Sequence, residues 1–82
     1  MAGDPTYDDE ARLRWLEAQA EDAYERMYDA GFSGAAVCYS DAKDFLYEAI
    51  GLARQLGKPT EVERLSRRLA HIKAVFRSQF TS

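Results

Sequence analysis

The sequence predicts an all-α fold, a three-helix bundle running up, down and up. Three observations point to it. Apolar residues recur at steps of three and four in three separate stretches. The stretches are parted by helix-ending residues, Gly31 and then Gly57 with Pro59. The longest β-favouring run, Val37 to Tyr39, is too short to compete. At 82 residues the chain is one domain. Residues 1–5 are expected as a flexible N-terminus and residues 80–82 as a frayed C-terminus. The helices are expected at about 7–30, 34–56 and 60–79.

The first helix carries Leu13, Leu16, Ala20, Ala23, Met27 and Ala30 on one face, widened by Tyr24 and Tyr28. Thr6 and Asp9 have the spacing of a capping box. Asp8, Asp9 and Glu10 suit the positive end of the helix dipole. Gly31 fits the position just past the helix end, with Phe32 beyond it folding back on Met27.

The second helix is expected to start at once, with Ser33 as N-cap and a hydrophobic staple between Phe32 and Val37. Gly34, a poor helix former, allows a later start at Ser40. Cys38, Ala42, Phe45, Ala49, Leu52 and Leu56 form its inner stripe, and Leu46, Ile50 and Ala53 broaden it. Gly57 ends it. Pro59 then opens the third helix, where Thr60 and Glu63 have capping-box spacing. Val62, Leu65, Leu69, Ile72 and Phe76 make the third buried stripe. Both connections are short, so consecutive helices are antiparallel neighbours and the first and third run parallel.

Charge is distributed unevenly. Residues 1–30 hold nine acids against Arg12, Arg14 and Arg26, a balance of −6. Residues 31–57 come to −1, and residues 58–82 to +4, which makes the net −3. Parallel packing of the first and third helices brings these opposite charges together as rim ion pairs, each worth ~0–1 kcal/mol.

Chemistry is hard to find. Cys38 is the lone cysteine and His71 the lone histidine, so neither an internal disulfide nor an ordinary zinc site is expected. No phosphate-binding loop, nucleophile elbow or His-Glu-x-x-His pattern occurs. Cys38 and His71 as a nucleophile–base pair is a weaker reading than an inert core thiol and a structural histidine. The expectation is a protein that is not an enzyme and has no metal or cofactor. No apolar run reaches the length of a membrane span, and the acidic start lacks a signal-peptide core, so the expected location is cytoplasmic.

Two surfaces remain. Tyr7, Ala11, Trp15 and Ala18 follow one another at helical spacing, about 100° round from the core stripe. Tyr7, Trp15 and, on the second helix, Tyr47 are the candidate partner-binding residues, for a protein partner or a second copy of the chain. Arg64, Arg67, Arg68 and His71 form a candidate basic face on the third helix.

Each surface has a resemblance attached. Over residues 41–70, Ala49, Ala53, Leu56, Gly57 and Pro59 give a helical hairpin that resembles tetratricopeptide repeats, which implies a protein-binding role. Ala53 and Gly57, followed by the arginine-bearing third helix, resemble the helix-turn-helix of bacterial regulators. That resemblance implies nucleic-acid binding through Arg64, Arg67 and Arg68. An isoelectric point near 5.0 ranks this second. The leading expectation is a non-catalytic protein-interaction module or small adaptor, or a homodimer.

Overall fold

The computed structural model describes residues 5–80, and within them the side chains of all but residues 5–7, 32 and 33. Three helices account for nearly all of it: α1 (Pro5–Asp29), α2 (Gly31–Gln55) and α3 (Pro59–Gln79). No strand occurs among the described residues. The all-α, three-helix bundle expected from the periodicity is the fold.

Each helix starts sooner than its capping pattern suggests. α1 opens at Pro5, whose ring pre-sets φ and whose missing N–H is not needed in a first turn. Thr6 therefore lies inside the helix rather than at its cap, and its side chain is outside the described residues. Residues 1–4, 81 and 82 are outside them too, whereas Phe80 is tied by its N–H to the Phe76 carbonyl at 2.9 Å. α3 opens at Pro59 with Lys58 as N-cap and no side-chain cap. The Thr60–Glu63 capping box is thus not the device that starts α3, because proline at the first position moves the boundary ahead of Thr60.

The α1–α2 connection is tighter than the sequence suggests. Gly31 takes the left-handed conformation (φ +78°), as its place past a helix end requires. It also begins α2, three residues before the expected start, with Ala30 as N-cap and no side-chain cap. Ser33 is not the N-cap, and Val37 stands 63% exposed rather than closing a staple. The Phe32 side chain is outside the described residues. Gly34 explains how so short a turn fits: a Cβ there would come within 2.9 Å of the Ala30 Cβ. Its role is close approach, not helix breaking.

The α2–α3 connection is a Schellman turn. Gly57 (φ +67°) donates its N–H to the Arg54 carbonyl at 3.1 Å, and Lys58 donates to the Ala53 carbonyl at 3.0 Å. Orphan carbonyls at the end of α2 are satisfied within the turn.

α2 is the middle helix. It packs along α1 and on α3, whereas α1 and α3 barely approach through their backbones. Buried alanines, among them Ala20, Ala42, Ala49 and Ala53, let the packed backbones come close. Leu13 and Leu16 of α1, Leu46, Ile50 and Leu52 of α2, and Leu65, Leu69 and Ile72 of α3 join Ala20, Ala49 and Ala53 in one core cluster. No polar or charged side chain is buried among the described residues. The Cα extents are 48 × 26 × 12 Å, wide and shallow around α2. The radius of gyration, 14.1 Å, exceeds the ~12 Å typical of a compact domain of this length.

Candidate interaction surface

α1 and α3 meet through long side chains arranged in one register. Glu17 faces Arg64, Glu21 faces Arg68 and Tyr24 faces His71, each pair 47 positions apart. A constant offset of this kind means that the two helices run parallel, as the short connections require. Arg64 donates to both Glu17 carboxylate oxygens, at 2.6 and 2.9 Å, and also to Glu61 at 2.6 Å. Arg68 grips Glu21 with two bonds, at 2.7 and 2.6 Å, and lies 4.9 Å over the Tyr24 ring. Lys58 adds a pair to Glu10 at 3.0 Å. Forked pairing of guanidinium with carboxylate fixes orientation as well as charge.

The seam's protonation follows from this geometry. The Arg64 hydrogen bonds hold the Glu17 and Glu61 carboxyls below the ordinary glutamate range, against a smaller upward push from burial. Arg64 is in turn pushed up by Glu17 and then Glu61, and Arg68 by Glu21. Arg67 points away from the seam and pairs within α3 to Glu63 at 3.3 Å. His71 is exposed, with its ring 6.3 Å from that of Tyr24. The predicted basic face is therefore divided. Arg64 and Arg68 are engaged with carboxylates across or along the seam, and Arg67 lies on the outer side of α3.

Trp15 stands 55% exposed. Its indole meets Phe45 of α2 in a T-shaped contact, with centroids 6.0 Å apart and ring planes at 87°. Ala11 and Ala18, one turn to either side, are exposed and too small to cover it. Arg12 bridges to Glu48 across the same α1–α2 seam at 3.4 Å. Tyr47 is 52% exposed but belongs elsewhere. It accepts a hydrogen bond from Lys73 Nζ at 2.9 Å, a bond that lowers the tyrosine pKa. Phe45 and Tyr47 are two positions apart, about 200° round the helix, so Trp15 and Tyr47 occupy opposite flanks of α2. The Tyr7 side chain is outside the described residues. Trp15 and Tyr47, grouped from the sequence, do not form one patch.

Phe45 is the partner that sequence reading missed. Its place on the inner stripe marked it as core, yet it is only half-buried, at the stripe's α1 edge. A similar edge aromatic, Tyr39, stacks face to face on Phe76 at 3.9 Å. Cys38 is half-buried on the α1 side of α2 near Arg26, whereas His71 lies on the α1–α3 seam, so the two are not brought together. The described residues hold no group of acids, histidine and cysteine able to bind a metal ion. An apolar hollow at the α2–α3 turn is lined by Arg54, Gly57, Lys58, Pro59, Val62 and Glu63, with no serine, cysteine or histidine among them. No described helix is long and apolar enough to cross a membrane.

Comparison with known proteins finds no matching family model and no significant match among curated proteins or solved structures.

Proposed function

We propose that this chain is a non-catalytic protein-interaction module or small adaptor whose contact surface is centred on Trp15. The observation that carries the reading is the indole itself. A side chain of this size gains most from burial, yet it keeps more than half of its surface in water, between two exposed alanines. Aromatic anchors of this kind dominate binding energy in protein interfaces. The resemblance of residues 41–70 to a tetratricopeptide hairpin supports the same role. The module acts in the cytoplasm on this reading, in keeping with its lone free cysteine. Self-association into a homodimer is the alternative form of this reading.

Nucleic-acid binding through α3 is the competing reading. What weighs against it is that Arg64 and Arg68 already serve Glu17, Glu61 and Glu21. One experiment separates the two. The tagged chain and its Trp15→Ser variant are used to capture partners from native lysate, with and without nuclease. A protein that survives nuclease and is lost with Trp15→Ser is the expected result. Material that disappears with nuclease, and with alanine at Arg64, Arg67 and Arg68, overturns the reading in favour of nucleic acid.

A further inference from the structure

We propose that the face around Trp15 and Phe45 docks a basic amphipathic helix of another protein. The inference rests on the interaction-module reading and adds the chemistry of the partner. On α2, Asp41 and Glu48 lie one turn before and one turn after Phe45, and Asp44 projects beside it toward solvent. On α1, Asp8 and Asp22 lie two turns to either side of Trp15. Arg12 and Arg26 are paired, to Glu48 and to Asp22, and Arg14, next to Trp15 in the chain, is exposed with no ion pair among the described residues. Asp8, Asp41 and Asp44 are in no ion pair among the described residues. The exposed indole is thus set in a surface that carries five acids against three arginines, an unbalanced charge of −2.

That charge decides the occupant. Two copies meeting symmetrically through this face would bring −2 against −2 around the apolar contact, and like-charge juxtaposition is disfavoured. A second copy meeting it with the outer side of α3 would offer the cations Arg67 and Arg77, but Ala70 and Ala74 as the apolar residues between them, with no large apolar group to cover the indole. Nucleic acid carries the wrong sign. A foreign helix with leucine-like residues on one face and lysine or arginine flanking it satisfies both the indole and the aspartates.

Trp15 is the chain's one tryptophan, so its fluorescence reports directly on occupancy. The probes are two synthetic peptides of about 18 residues with the same leucine stripe, one with lysine and one with glutamate at every other position. The lysine peptide is expected to shift Trp15 emission to the blue saturably, and less tightly as salt is raised. The glutamate peptide is expected to leave the emission unchanged. D41N/D44N should weaken the lysine peptide by roughly tenfold, while Glu63→Gln on the outer side of α3 should not. Circular dichroism confirms that both variants stay helical. An equal response to both peptides, or an unchanged affinity in D41N/D44N, overturns the proposal. So does silence toward the lysine peptide combined with a sedimentation mass that rises with concentration and is abolished by Trp15→Ser. That last result leaves the interaction-module reading standing, with self-association as its form.

Discussion

Individual side chains in this protein divide into those that hold the fold and those that do not. Leu65 is fully buried in the shared core. Leu65→Ala should destabilise the chain by ~2–5 kcal/mol, measured as a lower midpoint in urea unfolding. Gly57 holds its φ of +67° with open space around its Cα, so the cost of Gly57→Ala is conformational rather than steric. A loss of ~1–2 kcal/mol is expected there, read in the same unfolding experiment. Glu17 and Glu61 behave differently, because their contribution depends on protonation. Both are held below their unfolded pKa by Arg64. The stability they add is present above the unfolded value, about 4.3, and is lost as pH falls through the lower folded values. Thermal unfolding should therefore show a melting temperature that drops below about pH 4.3, and Glu17→Gln should flatten that drop. The pairs are partly exposed, so their effect is screened by solvent and salt.

At the scale of the helices, the two connections do unequal work. The helix stop at Gly57 was readable because glycine and proline appear in their usual order after an apolar run. The turn at Gly31 was only half readable. Its glycine announces a stop, but the chain re-enters a helix immediately, which only the close passage of Gly34 over Ala30 permits. Capping motifs misplace the starts of α1 and α3 for a related reason. Proline at the first helical position supplies the required φ without a side-chain cap, so Thr6 and Thr60 become ordinary helical residues.

For the whole molecule, the three helices do not pack equally. Small residues draw the packed backbones together around α2, while glutamates and arginines span the gap between α1 and α3. The acidic first third and basic last third of the sequence are, in the folded protein, two sides of that one seam. Its worth lies in specifying a parallel register, since exposed pairs add little stability. What it leaves over is an acidic outer face on α1 and α2 with Trp15 at its centre, the surface on which the capture and fluorescence experiments bear.

The sequence by itself determined the number of helices, their antiparallel order and the identity of most of the core, because periodicity and helix-ending glycines are local properties. It also marked Trp15 as lying off the core stripe. Only the tertiary structure decided that Trp15 leans on Phe45, that Tyr47 faces the opposite flank with Lys73, and that Arg64 and Arg68 are engaged while Arg67 is turned outward. Periodicity specifies the rotation of a side chain about its own helix axis. It says nothing of the separation or register of two axes, and those quantities determine which side chains meet.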